Sequence, residues 1–150
     1  MFRRQEYFAF LKQKTPVYRT TVYGPGADCA TEGLIETMSL GGCTSCAILS
    51  DNGINRLGSI THFRPDSVED HLEKITRLTR IYAELKNAKN IALLWDGTNS
   101  ESRRNPNGKV NRLVSGLKTI FTGCEIEEIP YNGALDWYGL YVDTGTLVFQ

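Results

Sequence analysis

Two apolar runs on either side of the turn signal Asp51-Asn52-Gly53 constrain this chain more than any other feature. Cys46 to Leu49 is apolar, and Asn55 to Phe63 carries Leu57, Ile60 and Phe63 among small residues. Strand-like runs joined by Asp-Asn-Gly predict a β-hairpin, because these turn residues accept the positive φ that a tight reversal needs. Antiparallel pairing sets the start of the first strand against the end of the second, and Cys43 and His62 stand at those two ends. The sequence leaves the register open.

That juxtaposition suits a thiol nucleophile with a base. Gly41 and Gly42 come immediately before Cys43. Lacking Cβ atoms, they let the chain turn sharply and bring backbone N–H groups near a bound carbonyl oxygen, as an oxyanion site requires. A free thiol has a pKa near about 8.5, so a neighbouring imidazole is the usual means of raising its thiolate fraction. His62 is the well-placed candidate.

The other cysteines are Cys29, Cys46 and Cys124. Cys43-x-x-Cys46 lacks a second Cys-x-x-Cys or a His-x-x-x-His to complete a tetrahedral zinc set, so no metal is expected. A thioredoxin-type pair opens a helix, whereas Ala47-Ile48-Leu49 reads as strand. Cys46 is expected in the core, and Cys29 and Cys124 as small buried residues. Nothing in the pattern calls for a cofactor.

The 150 residues suffice for one domain with a sizeable core. Seventeen basic and seventeen acidic residues cancel, which excludes a general field toward nucleic acid or an anionic membrane. The apolar runs fall far short of a membrane span, and Met1 to Leu11 is too short and too charged for a secretory signal. A cytoplasmic site is expected, with signal-free export as the alternative.

Along the chain, Tyr7, Phe8, Phe10 and Leu11 among charges predict a short amphipathic helix within residues 1–14, ending near Thr15-Pro16. It would cover an edge of the domain, or serve as a lid or partner contact. Val17 to Tyr23 predicts a strand, broken at Gly24-Pro25-Gly26, with a loop from there to Glu36. Ser67-Val68-Glu69-Asp70 has a capping-box pattern, and Val68, Leu72, Ile75, Leu78, Tyr82 and Leu85 recur at helical spacing. His71, beside that stripe, reads as a partly exposed surface histidine or, less simply, a catalytic one. Asn90 to Trp95 predicts a buried strand closed by Asp96-Gly97-Thr98-Asn99, and Ser100 to Asn107 a solvated loop in which Arg103-Arg104 is too short for phosphate binding. Asn105-Pro106 opens a second helix with Val110, Leu113, Val114, Leu117 and Phe121 on one face and Gly123 as its stop. Cys124–Ile129, Trp137–Val142 and Thr146–Phe149 predict strands, the last two as a closing hairpin. The class is α/β (α+β), in layers.

Thr37-Met38-Ser39-Leu40-Gly41-Gly42-Cys43 followed by His62-Phe63-Arg64-Pro65 resembles the CheD family of chemoreceptor glutamine deamidases, whose motif is Thr-x-Gly-Leu-Gly-Ser-Cys with a histidine after a short hairpin. The likeness extends more weakly through Asn132-Gly133, Tyr141-Val142-Asp143 and Thr144 to Val148, covering roughly residues 34 to 150. Gly42 stands where the family has serine, Trp95-Asp96-Gly97 replaces a glycine pair, and residues 1–33 form a divergent extension. A similar Leu-Ser-Gly-Cys turn occurs in glutamine-deamidating toxins such as the cytotoxic necrotizing factors. The resemblance implies layered mixed β-sheets with flanking helices, and a thioester path in which Cys43 attacks a glutamine carboxamide. His62 would serve as acid and base, and the Thr37 hydroxyl would hold its ring. The implied partner is a glutamine-bearing protein, either a chemotaxis or signalling protein or a host target of a secreted effector. From the residues alone the favoured reading of Thr37 is a solvent-facing strand threonine. A silent binding module of this fold and a cysteine hydrolase of another acyl bond are the remaining alternatives.

Overall fold

The computed structural model describes residues 1–14, 18–98 and 108–150. Its strands are β1 (Arg3–Glu6), β2 (Arg19–Val22), β3 (Gly26–Ala30), β4 (Leu34–Gly41), β5 (Ser45–Asp51), β6 (Arg56–His62), β7 (Asn90–Asp96), β8 (Ile126–Tyr131), β9 (Ala134–Tyr141) and β10 (Thr146–Phe149). The helices are α1 (Tyr7–Gln13), α2 (Val68–Ile81) and α3 (Lys109–Ile120), with a 3₁₀ turn at Ala83–Asn87.

The strands form two mixed five-stranded sheets, ordered β1-β10-β9-β4-β2 and β3-β6-β5-β7-β8. Alternation along the strands explains why they stack. In β4 Leu34 faces outward, where it meets Phe10, Trp137 and Tyr141, while Ile35 and Leu40 face inward against Ala47, Leu49, Ile60 and Leu94 of the other sheet. On β5, Cys46 and Ile48 face the opposite way from Ala47 and Leu49, joining Ile75, Leu78, Leu113 and Leu117 under α2 and α3. The layers therefore run α1, first sheet, second sheet, α2 with α3, and the layered α/β expectation holds. Each fully buried aliphatic such as Ile35 or Ile60 contributes about 1.5–3 kcal/mol relative to exposure. No described helix is long and apolar enough to cross a membrane.

The hairpin forms as expected, with Ala47 opposite Ile60 and Asp51 opposite Arg56. Asp51 Oδ1 accepts from Gly53 N at 2.8 Å, and Asn52 Oδ1 from Asn55 N at 2.7 Å, which fixes the turn. The stripe on α2 is buried at Val68, Ile75 and Leu78, and that of α3 at Val110, Leu113, Val114 and Leu117. The helices meet where Gly116 leaves room for Leu72, whose Cδ1 would lie 2.4 Å from a Cβ there.

Several boundaries differ from expectation. Residues 3–6 are a strand rather than helix, because β1 finds a parallel partner in β10 that propensity cannot foresee. The stretch after Gly26 is strand, not loop, since β3 pairs with β6. The first long helix stops at Ile81, and Leu85 reaches the core from the 3₁₀ turn. Ser67 occupies the N-cap but its hydroxyl makes no capping hydrogen bond. The last strands are shifted, β8 ending at Tyr131 and β9 beginning at Ala134. Cys46 is fully buried, whereas Cys29 and Cys124 are only half-buried. The expected helix end at Thr15-Pro16, the start of the first strand at Val17, the Ser100–Asn107 loop and the helix start at Asn105-Pro106 lie outside the described residues.

Candidate active site

β4 lies between β9 and β2 in the first sheet and ends at Gly41, the first of the two glycines. Ser39 adopts φ 58°, a left-handed conformation uncommon for a residue with a side chain. It breaks the alternation, so Met38 and Ser39 both line an open cavity while Thr37 and Leu40 stay buried. Gly42, at φ 82°, then turns the chain out of the first sheet, and Thr44 begins pairing in the second through two backbone bonds with Phe63 of 2.8 and 2.9 Å. Cys43 lies on this crossing, half-buried.

Because Thr44 pairs with Phe63, Cys43 and His62 belong to the same face of the hairpin, the one toward the first sheet. Both line a cavity of about 1050 Å³, whose walls include Tyr23, Gly24, Pro25 and Met38 on one side and Arg64 and α2 on the other. Among the described residues no hydrogen bond joins the thiol to the ring.

His62 is nonetheless held. The Thr37 hydroxyl donates to the Val22 carbonyl at 2.7 Å and lies 2.8 Å from His62 Nδ1. A hydroxyl has one proton, and a carbonyl can only accept, so that proton is committed to Val22. Nδ1 must then carry hydrogen and donate to Thr37, which leaves the lone pair on Nε2. The sequence builds this locally: β2 lies parallel to β4 with Val22 opposite Thr37, so the carbonyl arrives where the hydroxyl needs it. After Val22 the chain crosses to the second sheet, where Gly26 pairs with His62. Gly24 packs on the imidazole face so closely that a Cβ there would stand 2.7 Å from His62 Cδ2.

Burial pushes the His62 pKa below its ordinary value. Partial burial likewise raises that of the Cys43 thiol, with Arg64 pulling it down and Asp66 pushing it up. Both shifts disfavour the charged thiolate and imidazolium forms. Cys29 is pushed up to about 11 by burial, and fully buried Cys46 is pushed higher still.

The nucleophile turn rests on the ends of β7 and β8. The Tyr131 hydroxyl donates to the Cys43 carbonyl and is met by the Gly42 N–H. Asp96 Oδ1 accepts from Gly133 N at 3.0 Å and from Thr98 Oγ1 at 2.7 Å, fixing the neighbouring loop. Among the described residues lining the cavity are Cys43 and His62 but neither Gly41 nor Gly42, which turn the chain just before the thiol. No cluster of three or more His, Cys, Asp or Glu suited to a metal occurs among the described residues.

His71 is buried, contrary to the surface reading. It lies on the hairpin's other face, 2.6 Å from Thr61 Oγ1 and 3.3 Å from Thr44 Oγ1, with its ring stacked on Phe63 at 4.6 Å. Its spacing held the signal, since Val68, His71, Ile75 and Leu78 recur at intervals of three and four. Tyr131 sits two residues from buried Ile129 on β8, a strand ended too early in the sequence reading. Nothing local marks Gly24 as a wall of the site. Compared with known proteins, the chain matches no family model, and no curated protein matches it in sequence.

Proposed function

We propose that the chain is a protein-glutamine deamidase of the CheD type, with Cys43 as nucleophile, His62 as base and acid, and Thr37 as the residue that orients the ring. The proton count at Thr37 carries this reading: it fixes the imidazole as Nδ1–H and leaves a basic Nε2 beside the cavity that Cys43 also lines. In addition, Ser39 takes up a left-handed backbone at the place where the family motif has glycine, so the conformation that motif suits is adopted here.

In the proposed reaction Nε2 takes the Cys43 proton and the thiolate adds to the carboxamide carbon of a glutamine side chain. The oxyanion is met by the Cys43 N–H, a donor of a kind worth on the order of 3 kcal/mol of barrier. The imidazolium returns its proton to the amine as the C–N bond breaks, releasing ammonia and leaving a thioester. Water, deprotonated by Nε2, then cleaves the thioester, giving glutamate and the free thiol. The cavity is far larger than one carboxamide side chain needs, which suits a glutamine presented on a protein, whether a chemotaxis or signalling partner or a host target.

The burial that disfavours the charged forms of both groups and the missing bond between them favour a second reading, a silent binding module of the same fold. One experiment separates the two. Incubation with a glutamine-bearing chemoreceptor or candidate target should release ammonia and raise each modified peptide by about one mass unit. Cys43→Ser, folded, should lose both signals. Turnover that survives in Cys43→Ser refutes the nucleophile; partner binding without turnover in either protein selects the module.

A further inference from the structure

The rear face of the hairpin carries an imidazole that the reaction above leaves unused. Between the Thr44–Phe63 bridge and the Ala47–Ile60 pair, regular pairing of β5 and β6 lapses. Side chains replace it: Cys46 N donates to Thr61 Oγ1 at 2.7 Å, and the Ser45 hydroxyl, also bonded to the Tyr138 hydroxyl, donates to the Thr61 carbonyl. The strand ends are held by the two backbone bonds between Thr44 and Phe63 and, from there to Ala47, by these side-chain bonds in place of the ladder. His71 spans them. Thr44 is the chain neighbour of Cys43, and Thr61 and Phe63 are the chain neighbours of His62. The ring of His71 touches all three, two through nitrogen and one through its face.

The protons can be assigned here too. Thr44 Oγ1 donates to the Phe63 carbonyl at 3.5 Å and therefore accepts from His71 Nδ1–H. Thr61 Oγ1 already accepts the Cys46 N–H and gives its own proton to Nε2. A neutral ring is thereby satisfied at both nitrogens, one as donor and one as acceptor.

We infer that His71 is a positioning residue for the Cys43–His62 pair, acting through Thr44 and Thr61 to fix the separation of the two strand ends that present the thiol and the imidazole on the opposite face. The inference rests on the reading of Cys43 and His62 as the reacting pair. Alternate residues of a strand point to opposite faces, so a shift of Thr44 or Thr61 moves its neighbour in the cavity by a comparable amount. Displacements near 1 Å are enough to cost large factors in rate.

The test uses His71→Phe, which keeps an aromatic ring against Phe63 and removes both hydrogen bonds, together with Thr61→Val and Thr61→Ser. In folded His71→Phe, alkylation of Cys43 by iodoacetamide at neutral pH should slow about tenfold. The ¹⁵N signals of His62 should change from a single Nδ1–H form to a mixture. Thr61→Val should behave alike, and Thr61→Ser should recover the wild-type rate to within about twofold. A wild-type rate and a single His62 tautomer in folded His71→Phe overturn the inference. Should that variant not fold, equal rates in Thr61→Val and Thr61→Ser overturn it instead. Ammonia release keeps the two readings apart. Slowed alkylation in the variants, with no ammonia from the wild type, leaves the clasp standing and removes the deamidase. Equal turnover by wild type and His71→Phe does the reverse.

Discussion

Burial of His71 makes the fold sensitive to mild acid. Desolvation first, and the nearby His62 second, push its pKa down to about 3, against an ordinary value of 6.5. Above pH 6.5 neither the folded nor the unfolded chain protonates it, and its titration adds nothing to stability. Below that value the unfolded chain binds a proton that the folded chain refuses, so stability falls by about 1.4 kcal/mol per pH unit until the pH nears the folded value. From pH 7.5 to 5.0 the loss comes to about 2 kcal/mol. His62, whose pKa is also lowered by burial, acts with the same sign. Asp51 and Asp96, held below their ordinary value by hydrogen bonds, lose their contribution only as pH drops below about 4, outside this window. Urea unfolding at the two pH values measures the effect. His71→Phe starts less stable, by about 1–3 kcal/mol for the buried hydroxyl left unpaired, but its stability should fall by about 2 kcal/mol less between pH 7.5 and 5.0 than the wild type's. Equal losses in the two proteins would falsify the claim that His71 stays neutral in the fold.

Four further outcomes are expected. Gly24→Ala drives a methyl into the His62 ring and breaks its bond to Thr37, so the folded variant's Cys43 alkylation should slow by roughly tenfold or more, with a stability loss of about 1–3 kcal/mol; an unchanged rate means the ring is free to move aside. Arg64→Gln removes the cation that lowers the Cys43 thiol, so the pH profile of alkylation should shift upward, most visibly at low salt. Ser39→Gly relieves a left-handed backbone and should stabilise the protein by about 1 kcal/mol in denaturant titration, and destabilisation would contradict that conformation. Leu113→Ala empties a fully buried site between α3 and the second sheet and should cost about 2–5 kcal/mol by the same measurement.

The hairpin, α2, α3 and β7 were legible because their apolar spacing and turn residues are local properties of the chain. The hairpin alone brought Cys43 and His62 to the same end, although in the register that forms, Cys43 stands across from Arg64 and His62 across from Ser45. What stayed hidden depends on distant partners. β1 is a strand only because β10 lies beside it, and β3 only because β6 does. The role of Val22 at Thr37 needs the parallel pairing of β2 and β4, which no short window contains. His71 was legible in its spacing, but a histidine between Asp70 and Leu72 invites a surface reading until the hydroxyls that satisfy both nitrogens are seen.

The order in which the two sheets can be completed has a consequence for synthesis. β5, β6 and β7 are near neighbours in sequence and can pair early, carrying the thiol and the imidazole with them. The first sheet cannot close until β9 and β10 have left the ribosome, because β4 waits for β9, and β1 for β10. Thr37 lies on that late-closing strand. The contact between Thr37 and the His62 ring is thereby tied to a strand whose second neighbour, β9, lies about a hundred residues further along the chain.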